Sequence, residues 1–218
     1  MADIRKIYRY AVKHYTECRN SYLALLVGMF GLPLLMAFLT RSVVGAAAMA
    51  SSVALFATLY VLYLSTVRMR SKRTFQIDNT LPISAAERYI FIMLNSIVVV
   101  GLFVVVVYGA SLVLAEMLFP LPPELDFTYR QFLGNGYIIV GLMATHAVLL
   151  IVNLTARERV LISYLAAVGL VVVGQFIVGR YVPEAMRADF KLWANVVIVI
   201  VGWVSGYFIL RSREIKML

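Results

Sequence analysis

Along the chain, apolar positions gather into six long runs separated by short polar segments. The runs cover residues 22–39, 43–67, 89–119, 137–154, 160–179 and 192–210. A helix needs about 17 to 25 mostly apolar residues to cross the hydrocarbon core. Several runs are rich in Val and Ile, as in IVVVGLFVVVVYG, a composition that favours strands in a soluble protein. Length argues against strands here, because a barrel strand needs only about 9 to 11 residues and alternates polar with apolar. These runs do not alternate. The pattern therefore predicts an all-α membrane protein with six transmembrane helices in a domain over 22–218. The third run, at about 31 residues, would extend roughly 46 Å as a helix. It must tilt, protrude or break, and Gly101 and Gly109 mark its weak points.

Residues 1–21 differ from the rest. Ile4, Ile7, Tyr8, Ala11, Tyr15, Cys18 and Tyr22 recur at helical spacing, with Lys6, Arg9, Lys13 and Glu17 on the other side. Tyrosine rings suit the headgroup layer, and Lys and Arg suit its phosphates. This predicts an amphipathic helix in the interface, leading into the first span. His14 falls among the basic residues and is expected at the surface. The segment does not read as a secretory leader, being too charged and lacking an apolar core before a small-residue cleavage site.

Composition agrees with lipid as the solvent. Hydrophobic residues make up 62% and charged residues 14% of the chain, with a mean hydropathy of +0.89. A soluble domain carries about 25% charged residues and could not hide so much apolar surface. One cysteine, Cys18, excludes an intrachain disulfide framework.

Charge then predicts orientation. With both termini on one side, that side holds Arg5, Lys6, Arg9, Lys13, Arg19, Arg68, Arg70, Lys72, Arg73, Arg88, Arg157, Arg159, Arg211, Arg213 and Lys216. Only Arg41, Arg130, Arg180, Arg187 and Lys191 remain for the other side. Basic residues in short loops stay cytoplasmic, so both termini are expected in the cytoplasm. The whole net charge of +9 then faces the anionic inner leaflet. Membrane lipids account for the basic excess, and no nucleic acid needs to be invoked.

The loop between the second and third runs, 68–88, carries the most local information. After a basic front end, Phe75 and Ile77 offer a small apolar surface within polar sequence. Pro82 ends whatever helix precedes it. Ser84 and Glu87 have the S-x-x-E spacing of a capping box, in which each side chain satisfies the other residue's backbone amide. The loop thus reads as a short element, a stop and a sharply defined restart. TLPIS, followed by Glu87 and Arg88 just before a long span, resembles the cytoplasmic loop of ABC transporter type-2 permeases. The interfacial first helix, six spans, inward termini and short basic tail are similar to that family throughout the chain. Ala85 stands where the family often has Arg or Lys, and Arg88 is the nearest cation to the lysine the family often carries inside its third span.

The resemblance implies a six-span half-transporter in the cytoplasmic membrane of a prokaryote. It would pair with a second six-span permease, the same chain or a paralogue, and with two copies of an ABC ATPase subunit. Arg73, Phe75, Ile77, Asp78, Asn79, Leu81 and Pro82 would form the coupling element docking on that ATPase. The chain has no G-x-x-x-x-G-K-[ST] phosphate loop, so ATP and Mg are expected in the partner and no cofactor in this chain.

Polar residues inside the runs are candidates for a transport pathway, because burying them in lipid is costly. They are Asn95, Glu116, His146, Asn153 and Gln175. No H-E-x-x-H, G-x-S-x-G or paired carboxylate cluster occurs in the spans, and no catalytic or metal-binding residue is predicted. Gly202 and Gly206 form a G-x-x-x-G in the sixth run, read as packing within the subunit, and GAAAMASS in the second has the same character. In the outer loop 180–191, VPEAMRADF is expected to form a short interfacial helix with Pro183 in its first turn. The resulting expectation is a permease that exports an amphiphile such as a lipid, peptide or drug. A non-catalytic membrane scaffold or immunity-type protein is the alternative.

Overall fold

The computed structural model describes residues 3–67, 83–119, 136–155, 169, 173 and 180–217. Among these, the chain is all-helical, with six helices: α1 (Ile4–Glu17), α2 (Arg19–Thr40), α3 (Val43–Thr66), α4 (Ala85–Leu118), α5 (Gly136–Thr155) and α6 (Arg187–Met217). Four helices are long and apolar enough to cross a membrane: α2, α3, α4 and Glu184–Ser212, which is most of α6 with the turn before it. Such a set marks a multi-pass membrane protein. A shorter apolar stretch, Val140–Thr155, lies in α5. The predicted fifth run falls outside the described residues except for Gly169 and Val173.

Local chemistry sets several helix ends. Asp3 caps α1, its carboxylate accepting from the Arg5 amide at 2.9 Å. The chain turns once at Cys18 and resumes as α2. Pro33 sits buried within α2 without ending it, as neighbouring helices permit in membrane proteins. Between α2 and α3 the turn is tight. Arg41 takes a left-handed conformation (φ 49°), and Ser42 Oγ accepts from the Val44 amide at 3.2 Å. A Cβ on Gly45 would run into the Thr40 hydroxyl, so the hairpin depends on glycine there.

The long third run does not break at its glycines. Helix α4 runs 34 residues unbroken and absorbs its irregularity in two π-helical stretches, Leu94–Val99 and Val104–Tyr108. A π-turn holds one more residue than an α-turn while keeping every residue helical. Before α6, Glu184–Met186 forms one 3-10 turn that passes directly into the helix at Arg187. The expected separate interfacial helix is therefore the first part of α6. Pro183 stands just outside it with extended ψ, and nothing after it breaks the helix.

The chain divides into two compact units, residues 1–65 with 90–134 and residues 66–89 with 135–218, the boundary falling within α4. In the first unit, one core cluster joins Tyr22, Leu25 and Met29 of α2 to Val53, Ala57 and Val61 of α3 and Val100 of α4. A second brings Ala37 against Ala46, Ala47 and Ala50 of α3 and against Leu112 and Ala115 of α4. Small residues let membrane helices approach closely, since lipid offers no hydrophobic drive for them to associate. In the second unit, α5 and α6 pack along a shared seam. Large apolar side chains such as Val27, Phe38, Val197, Val201 and Phe208 point outward. In water that would be a liability; against acyl chains it is the expected surface.

Candidate functional site

The sequence-predicted residues fall into three places. The first is a buried polar hub in the first unit, centred on Asn95. It sits in the first π-stretch of α4 and is only 1% exposed. Its Nδ2 donates to the Tyr22 hydroxyl at 2.7 Å and to Ser65 Oγ at 2.8 Å, and its Oδ1 accepts from the Tyr15 hydroxyl at 2.7 Å. Ser65 in turn donates to the Val61 carbonyl at 2.7 Å. The Tyr22 hydroxyl, which accepts from Asn95, also shares a hydrogen bond with His14 Nε2, 3.0 Å away. The bonds form one branched network that joins α1, α2, α3 and α4.

Aromatic rings close around this hub. Tyr10 and Phe91 meet edge to face with centroids 5.0 Å apart, His14 and Phe91 at 5.1 Å, and Tyr15 and Tyr22 at 5.2 Å. Edge-to-face pairs are the arrangement ring quadrupoles favour. Burial raises the Tyr15 phenol above its ordinary value of 10.0. The expectation that His14 lies at the surface is corrected here, for it is 5% exposed. The physical reason is Tyr22: one turn into α2, its hydroxyl needs partners once buried, and His14 supplies one. Asn95 itself is committed to bracing four helices.

The second place is the seam of the second unit. His146 of α5 is buried, and its Nδ1 accepts from Trp203 Nε1 at 3.3 Å. The Trp203 carbonyl accepts from the Tyr89 hydroxyl at 2.6 Å. A Cβ on Gly202 would lie 2.7 Å from Ala147 Cβ and 3.3 Å from its backbone. One on Gly206 would lie 3.0 Å from a Leu150 methyl. The G-x-x-x-G motif thus faces α5 of the same chain. Asn153, also buried, donates to the Leu149 carbonyl at 2.9 Å, one turn back on its own helix.

The third place is the start of α4. The Ser84 amide donates to Glu87 Oε2 at 2.9 Å, and the Glu87 amide donates to Ser84 Oγ at 3.3 Å. The reciprocal pair is the capping box that the spacing predicts. Glu87 and Arg88 are both buried, although the sequence places them in a polar loop. The proposed docking residues Arg73, Phe75, Ile77, Asp78, Asn79, Leu81 and Pro82 lie outside the described residues, as does Gln175. Glu116 stands on the exposed side of α4 near its end.

Asn95, Tyr15, Tyr22 and His14 converge, whereas His146 stays on the seam, Asn153 bonds back to its own helix and Glu116 stands apart. Sequence reasoning missed Ser65 and the roles of Tyr15 and Tyr22. The available signal was Asn95 itself, because an amide inside a span must find hydrogen-bond partners on neighbouring helices. Among the described residues, no three of His, Cys, Asp and Glu come together as metal ligands would. Set against known proteins, the chain matches no family model, no curated protein and no solved structure.

Proposed function

We propose that the chain is the permease subunit of an ATP-driven ABC exporter, carrying an amphiphile across the cytoplasmic membrane while a separate ATPase subunit hydrolyses ATP. The observation that carries this reading is the capping box at the end of the TLPIS loop, with both reciprocal bonds made. A loop that only joins two spans has no need of so firm an exit. Immediately beyond the cap, Tyr89 is tied to the Trp203 backbone, and Trp203 to His146. A force applied to the loop would therefore reach α6 through the short Tyr89 bond, and α5 through the longer Trp203–His146 bond, rather than through slack chain.

In this reading the apolar pair Phe75 and Ile77 seats on the ATPase, and the cap passes its movement into the spans. The inner interfacial helix, six spans, inward termini and a dimeric assembly complete the scheme, supported by the distribution of Lys and Arg.

The test is co-purification from mild detergent with a nucleotide-hydrolysing subunit, followed by replacement of Phe75 and Ile77 with Asp. Insertion and folding should persist, and stimulation of the ATPase by the permease should be lost. Normal stimulation in the double variant would remove the docking role. Failure to recover any ATPase with the native chain would favour a membrane scaffold instead.

A further inference from the structure

The amphipathic pattern of α1 reads as one apolar face, but the structure divides that face in two. One arc carries Tyr10 and His14, buried against Phe91 and Tyr22. The adjoining arc carries Ile4, Tyr8 and Val12 at i, i+4 and i+8, and these are 80%, 69% and 47% exposed. Arg5 and Arg9 each follow a residue of that strip by one position, and both are exposed, as is Lys6. The helix thus has a fastened arc, an uncovered apolar arc and a basic arc.

The charge indicates what covers the uncovered arc. Residues 4–19 hold five basic residues and one acidic residue, Glu17, while the carboxylate of Asp3 caps the helix. An apolar strip that includes a tyrosine and is edged by arginines matches the boundary between acyl chains and anionic headgroups. A neutral or cationic partner would leave the arginines uncompensated. We propose that α1 is an anionic-lipid latch: the Ile4–Tyr8–Val12 strip and its flanking arginines bind a negatively charged leaflet, and Tyr10 and His14 on the other arc register that binding at the Asn95 hub. Lipid charge then sets how firmly α1 stays docked, whatever partner subunit the spans have.

The experiment uses the full chain in nanodiscs of phosphatidylcholine, with or without phosphatidylglycerol, and reads amide hydrogen exchange along α1. Each basic residue near an anionic surface adds about 1 kcal/mol, so exchange of α1 amides should slow roughly tenfold or more in the anionic discs. Raising the salt concentration should erase the difference, since exposed charges are screened. In R5E/R9E the lipid-charge effect should vanish, while residues 91–99 in phosphatidylcholine exchange as in the native chain. If that variant does not fold, the salt titration of the native chain still decides. Equal α1 exchange in both discs at low salt would overturn the proposal. So would protection that depends on an added protein and ignores lipid charge.

Discussion

The hub of the first unit and the seam of the second solve the same problem with opposite chemistry. Helices in lipid gain little from hiding apolar surface from one another, so association rests on hydrogen bonds and close packing. Around Asn95, four helices are joined by a saturated set of short bonds, with rings filling the space between them. Between α5 and α6, contact rests on the absence of side chains at Gly202 and Gly206, and the bond from Trp203 to His146 is long, at 3.3 Å. The first region should therefore be sensitive to loss of a polar group, and the second to gain of a methyl.

The sharpest way to break the comparison is N95A. It leaves the Tyr15, Tyr22 and Ser65 hydroxyls without their shared partner, and three interhelical bonds at about 0.6 to 1 kcal/mol each predict a loss of about 2 to 3 kcal/mol. Unfolding in mixed micelles followed by circular dichroism measures it; a loss under about 1 kcal/mol would mean that packing alone holds these helices. Next is G202A, where the new Cβ meets a backbone that cannot swing away. Overpacking of this kind costs about 1 to 3 kcal/mol. G206A should cost clearly less, because its neighbour is the end of a flexible leucine. Both tryptophans, Trp193 and Trp203, lie in the second unit, so their fluorescence reports on these two variants directly.

A smaller effect is expected at the cap. S84A should cost about 1 kcal/mol, and hydrogen exchange should show it as faster exchange confined to the first turn of α4. Smaller still is H146F, which keeps a flat aromatic ring and gives up the long bond to Trp203, at about 0.6 kcal/mol. If H146F cost more than N95A, the assignment of polar bracing to the first unit would be reversed. A pH scan sharpens the contrast further. The folded-state value of Tyr15 is raised, so its contribution is fully present below pH 10.0 and is lost as pH rises through the raised value. Y15F should remove that alkaline component.

The motifs held where their chemistry is local. The Ser84–Glu87 spacing specifies two bonds across three residues, and both are made. GWVSG reads as a close approach because a glycine pair one turn apart leaves a groove whatever fills it. His14 was misplaced because its neighbours in sequence are basic, while its neighbours in space are Tyr22 and Phe91. Helical periodicity gave α1 a single apolar face, since it records which residues are apolar and not which partner covers them.

By itself the sequence determined the helical class, the four long apolar helices found among the described residues and the cap of α4, because run length and short-range spacing are properties of a contiguous stretch. Only the tertiary structure decided that Asn95 would be a brace, that the glycines of α6 would face α5, and that α1 would keep one apolar arc uncovered. Each of these depends on residues brought together from far apart in the chain, 73 positions for Tyr22 and Asn95 and 57 for His146 and Trp203. No local pattern encodes such a pairing. It follows from how whole helices settle against one another.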